Sequence, residues 1–118
     1  MTLFYSPKGS LATRCTILAT TGATAVYTAS PGQRPVIHTI NLTNVTPSAV
    51  VTTIALYKDA DSSTTSILHG ISLSAASRTT IDNIPISMMD GDEIRVTAAT
   101  ADAVHVIVIA SEGMGASN

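Results

Sequence analysis

"RPVIHTINLTNVTPSAVVTTIALYKD", Arg34 to Asp59, carries the reading of the fold. Two runs of nine residues, Val36–Asn44 and Val50–Lys58, flank a short polar interval with Pro at its centre. In the second run Val50, Thr52, Ile54 and Leu56 alternate with Val51, Thr53, Ala55 and Tyr57, which is the period-two pattern of a strand with one buried face. In the first run the same rule puts Val36, His38, Ile40 and Leu42 on one face and Ile37, Thr39, Asn41 and Thr43 on the other. Valine, isoleucine and threonine are stiff at χ1 and suit a pleated surface, and "TPSA" between the runs is a turn.

Working outward, the same grammar repeats. Leu11–Ala19 and Ala23–Thr28 read as strands broken at Gly22. In "SPGQRP", Pro31-Gly32 has the type II signature, with glycine free to take positive φ. Downstream, Lys58–Thr65 is a polar loop, Ser66–Ser72 and Arg78–Ile84 are strands, and Asp90-Gly91 turns into Asp92–Thr100. Asp102–Ser111 closes the fold, with Val104, Val106 and Val108 opposite His105, Ile107 and Ile109. A strand apolar on both faces is central in its sheet or covered by a partner. Eight strands at this spacing, with no window of helical period, predict an all-β domain: an antiparallel two-sheet sandwich of jelly-roll type over residues 11–112. Residues 1–10 form an N-terminal arm and residues 113–118 a flexible tail.

The composition agrees. In a chain of 118 residues only 12% are charged and 3% aromatic, while Ser and Thr make up about a quarter, so Val, Ile, Thr and Ala build both core and surface. One domain of this size holds a real core without staples. The six cationic residues are scattered and the net charge is −2, which argues against a nucleic-acid footprint. Few charges with positive mean hydropathy suit a chain that packs against copies of itself. Cys15 is alone, so no intrachain disulfide forms, and it reads as a small core hydrophobe. No basic start with a long apolar core marks a signal peptide, and no run is long enough to span a membrane. A reducing cytoplasm is therefore the expected place of synthesis. The sequons at Asn41 and Asn44 are read as chance in a Thr-rich strand.

Candidate chemistry is sparse. Asp90, Asp92 and Glu93 surround Gly91 and invite a metal reading, but successive strand side chains point apart, so Asp92 and Glu93 do not clamp one ion. Asp90-Gly91 is the pair that a tight hairpin prefers. Asp59–Gly70 begins like a calcium loop but has Thr64 where glycine is needed and Gly70 where a bidentate Glu should stand, so it reads as a solvated hairpin loop. His38, His69 and His105 have no ligand spacing, and His38 reads as a packed, hydrogen-bonded side chain. No motif selects one of the thirteen serines as a nucleophile. No catalytic residue, cofactor or metal ligand is assigned. Leu3, Phe4 and Tyr5 in the arm are the candidate interface residues, since aromatic anchors concentrate at binding hot spots.

The order of the pieces is similar to that of small β-sandwich virion proteins of tailed bacteriophages. The likeness rests on Tyr27-Thr28-Ala29, Pro31-Gly32, Asn41-Leu42-Thr43-Asn44, Gly91-Asp92-Glu93-Ile94-Arg95-Val96 and the closing Val104–Ser111, and it covers about Ala23 to Gly113. The resemblance implies a non-enzymatic structural protein of the virion, assembled in the bacterial host cytoplasm. Its partners would be copies of itself, with a trimer favoured, and the major capsid protein or other virion proteins. No nucleic acid, membrane or cofactor is implied. Capsid decoration, as a cement protein, is the leading role. A neck, tail or fibre component is the alternative within the class, and a host-surface or carbohydrate-binding module the alternative outside it, weakened by the lack of Trp.

Overall fold

The computed structural model describes residues 11–82 and 86–112. Nine strands form: β1 (Leu11–Ile17), β2 (Thr24–Thr28), β3 (Val36–Asn44), β4 (Val50–Lys58), β5 (Ser63–Leu73), β6 (Arg78–Ile81), β7 (Ile86–Ser87), β8 (Glu93–Ala98) and β9 (Val104–Ser111). One sheet runs β1-β9-β3-β6, with β7 also on β3, and the other runs β2-β8-β4-β5. Pairing is therefore nested: β1 with β9, β2 with β8, β3 with β6 and β7, β4 with β5. A long hairpin folded over on itself into two facing sheets is a jelly roll. The expected all-β, two-sheet antiparallel sandwich of jelly-roll type is what the chain adopts. The strand beyond the eight expected is β7, whose two residues carry no periodicity to detect.

The core lies between the sheets. Ile37, Ile40 and Leu42 of β3, Val104, Val106 and Val108 of β9, Ile54 of β4, and Ile94 and Val96 of β8 are almost wholly buried. Each such side chain contributes roughly 1.5–3 kcal/mol by leaving water. The last strand keeps its expected alternation: Val104, Val106, Val108 and Ala110 point inward, while His105, Ile107 and Ile109 sit half-buried on the outer face. Its position between β1 and β3 explains the apolar character of both faces.

Two β-bulges alter the reading by simple alternation. Between β3 and β9, Ile37 pairs with Ala110 and Thr39 with Ile109, so His38 is an extra residue. The bulge flips the phase, and Ile37, expected outside, joins Ile40 and Leu42 in the core. His38 is exposed rather than packed, and its Nε2 lies 2.6 Å from Ser111 Oγ. Between β2 and β8 the extra residue is Val26, which lets Val26 and Tyr27, neighbours in sequence, both be buried. Cys15 is exposed: β1 is an edge strand, and its odd-numbered residues share the outer face with His105, Ile107 and Ile109. The expectation of a core cysteine is corrected by that edge position.

Candidate functional site

The acidic stretch around Gly91 folds as a type II turn. The Asp92 N–H donates to Met89 O at 3.0 Å, and Gly91 has φ +84°. Asp90 does not take positive φ, so this is not the hairpin turn that Asp-Gly suggests. Nor are its flanking strands a hairpin, because β7 lies in one sheet and β8 in the other. The turn carries the chain across the sandwich. The turn at Ser30-Pro31-Gly32-Gln33 forms as expected, with Gly32 at φ +81° and the Gln33 N–H donating to Ser30 O.

At this end of the sandwich the loops β2–β3, β4–β5 and β7–β8 meet around one residue, Asp92. Asp92 is 1% exposed. Its Oδ2 accepts from Lys58 Nζ at 2.8 Å and from the Met89 N–H at 2.9 Å, and its Oδ1 accepts from the Asp59 N–H at 3.1 Å. Its backbone carbonyl accepts from Ala29. Burial by itself would push the Asp92 carboxyl up. The Lys58 ammonium and the two backbone N–H groups outweigh it and hold the group below the usual carboxylate range. Asp90 Oδ1 accepts from the Gly32 N–H at 3.1 Å, adding a fifth tie. Glu93 points the other way, onto Arg95 at 2.7 Å, and the Arg95 guanidinium lies over the Tyr57 ring. Asp92 and Glu93 thus diverge, as strand alternation requires.

Sequence reasoning treated Asp59 and the Asp90–Asp92 stretch as separate candidates, and the structure brings them together. Asp59 opens a tight turn whose Ser62 N–H returns to Asp59 O, with Ser62 at φ +50°. No metal-holding group of three or more His, Cys, Asp or Glu side chains occurs among the described residues. A cleft of about 240 Å³ beside the cluster is lined by Arg34, Lys58, Ala60, Met89, Asp90 and Asp92. His69 lies on the outer sheet edge in β5, while His38 and His105 lie on the other sheet.

The opposite end has its own buried polar residue, which sequence reasoning missed. Asn44 is fully buried at the end of β3. Its Nδ2 donates to Ser48 O, Leu73 O and Ser74 O at 2.8, 3.1 and 3.2 Å, and its Oδ1 accepts from the Thr46 N–H and hydroxyl at 3.0 and 2.7 Å. It joins the β3–β4 loop to the end of β5. With its amide consumed in this way, Asn44 is not a glycan acceptor. The available signal was an Asn two residues before Thr at a strand end, the pattern of an Asx turn.

A third polar group ties β1 and β2 to the residue after β9. The Tyr27 hydroxyl donates to Glu112 Oε2, and Arg14 Nη2 pairs with the same oxygen at 3.1 Å. Burial first, and then the adjacent carboxylate, push the Tyr27 phenol well above its ordinary value against the opposing pull of Arg14. Asn44 and Asp92 are buried and spend their polar atoms on the protein itself, which is the behaviour of structural fasteners, whereas Arg14 of the third group is half exposed. The candidate interface residues Leu3, Phe4 and Tyr5, the rest of the arm, and the tail 113–118 lie outside the described residues. Among the described residues, the exposed large apolar side chains are Leu11, Ile17, Val45, Val51 and Met89. Leu11 and Ile17 flank Cys15 on β1, and a shallow cleft of about 330 Å³ lies over Cys15, Ile17, His105 and Ile107 on that outer face.

No protein-family model matches the sequence, and no curated protein matches it. Solved structures do share the fold. A chain of the T13 particle of infectious bursal disease virus superposes with a TM-score of 0.54 at 6% identity, over 87% of this chain and 31% of that one. A chain of the Gx strain of the same virus gives 0.52 at 8% identity, over 92% and 34%. A subunit of the disulfide-linked pili of Bacillus endospore appendages gives 0.49 at 16% identity, over 95% and 98%. This chain spans about a third of the length of the two viral chains, and what it shares with them is the jelly-roll fold.

Proposed function

We propose that this chain is a non-enzymatic structural protein of a bacteriophage virion. In this reading it decorates and cements the head surface as a symmetric oligomer, with three-fold symmetry leading, bound to the major capsid protein. The observation that carries the reading is a jelly roll whose buried polar side chains, Asn44 and Asp92 above all, are spent on fastening loops at the two ends of the sandwich. Such a domain resists unfolding and presents weakly charged sheet faces for packing. The shared fold with virus-particle chains supports it as an architecture used in shells. The arm is part of the proposal: Leu3, Phe4 and Tyr5 anchor each copy on a neighbour.

Imaging of intact particles with this chain labelled tests the reading. Decoration requires hundreds of copies over the head. A dozen or fewer at one vertex moves the chain to the neck, tail or fibre, and its absence from particles ends the virion reading. Deletion of residues 1–10 is expected to weaken particle binding while leaving the β-sheet circular dichroism unchanged.

A further inference from the structure

Five strands lie at the edges of the two sheets; β7 has only two residues, and three of the others carry devices that discourage pairing with another chain. On β5 the register with β4 shifts twice and Gly70 sits at φ +64°. β6 has only four residues, and β2 has five with a bulge at Val26. β1 differs. Its seven residues pair with β9 in unbroken register and contain no Pro or Gly, and their one charge, Arg14, is paired with Glu112. Among the described residues no strand lies on its other side.

The free backbone groups of β1 follow from the ladder. The Leu18 N–H donates to Val104 O at 3.0 Å, directly continuing the β1–β9 register. Hydrogen-bonded pairs alternate in an antiparallel ladder, so even-numbered residues of β1 face β9. Leu11, Thr13, Cys15 and Ile17 then point their N–H and C=O groups away from the sheet. The side chains of these four residues lie on the outer face, where Leu11 is 69% and Ile17 57% exposed.

We infer that β1 is a self-association edge, pairing antiparallel with β1 of a second copy about a two-fold axis; this rests on the self-assembling role proposed above. An antiparallel strand is complementary to its own copy, which is the condition for an isologous contact. In the register centred on Arg14, Leu11 of each copy faces Ile17 of the other, so the two most exposed apolar side chains of the strand cover one another twice. The charges also match. Each Arg14 brings its own Glu112, bound at 3.1 Å, so the axis gathers two cations and two anions in a neutral cluster. Such a two-fold contact adds to a three-fold one rather than replacing it, as in two trimers joined back to back.

Sedimentation velocity of the full chain tests the edge. Thr13→Pro removes an outward N–H and leaves the β9 ladder intact, so it is expected to halve the assembled mass while β-sheet circular dichroism and the thermal midpoint stay near wild type. Ile17→Lys is a second, independent block with the same expected halving. A folded variant that keeps the wild-type mass overturns the inference, as does a wild-type particle with an odd number of copies. So does a mass that rises when residues 1–10 are removed, because the arm would then be capping its own β1. Particle imaging separates this from the virion reading: a chain present on virions whose mass ignores Thr13→Pro loses only the β1 contact, and a chain absent from virions whose mass halves loses only the virion role.

Discussion

A Cβ on Gly91 would stand 2.8 Å from Oδ2 and 3.0 Å from Cβ of Asp59, two residues 32 positions apart in sequence that the fold presses together. Gly91 also holds φ +84°. Gly91→Ala therefore carries both a backbone cost and a steric one, and about 2–4 kcal/mol of destabilisation is expected. A double-mutant cycle with Asp59→Ala separates the two, since truncating Asp59 relieves part of the clash and none of the φ cost. Denaturant midpoints for the four proteins measure it, and a fully additive cycle would refute the contact.

Asn44 makes five hydrogen bonds from a fully buried position. Asn44→Ala is expected to cost about 2–4 kcal/mol by leaving buried backbone groups unpaired. Asn44→Asp should be at least as harmful, because it places an oxygen against the carbonyls of Ser48, Leu73 and Ser74. Thermal melts of the two variants compare them, and a milder aspartate would argue for a different amide orientation.

Acid should loosen the Asp92 end first. A carboxyl held below its unfolded value contributes stability that is present above that value, about 3.9, and lost as pH falls through the lower folded one. Below pH 4 the ties to Lys58, Met89 and Asp59 weaken as Asp92 gains its proton. Asp92→Asn should lower the urea midpoint at pH 7 and flatten its fall between pH 5 and 2. A variant as acid-sensitive as wild type would move the effect elsewhere.

Thr52 is fully buried, and its Oγ1 has no hydrogen-bond partner among the described residues. Thr52→Val keeps the shape and removes an unpaired polar atom, so a gain of about 1 kcal/mol is expected. A rise in the thermal midpoint reports it, whereas a fall would mean that the hydroxyl has a partner.

Much of the fold was legible where alternation ran uninterrupted. The bounds of β3 and β4 match the two nine-residue runs, and the inward and outward sets of β4 and β9 follow the period-two rule. What failed were positions where a long-range partner overrides local pattern. The His38 bulge is imposed by β9, some seventy residues later, and it reversed the faces of Val36-Ile37. Cys15 looked internal because it lies inside a strand with nothing beside it to make it reactive, but that strand is at a sheet edge and leaves the thiol exposed. Asp90-Gly91 signalled a turn correctly, yet the turn type and the jump between sheets depend on which sheet receives each flank. The reach of Asn44 to Leu73 and Ser74 and the approach of Asp59 to Gly91 were invisible because both join segments distant in sequence.

The position of β9 between β1 and β3 has a temporal consequence. β1 and β3 both leave the ribosome before the strand that must join them, so the first sheet cannot close until β9 has been synthesised. The edge of β1 takes its final form only then. Loss of β9 would remove the middle of a sheet rather than trim its end.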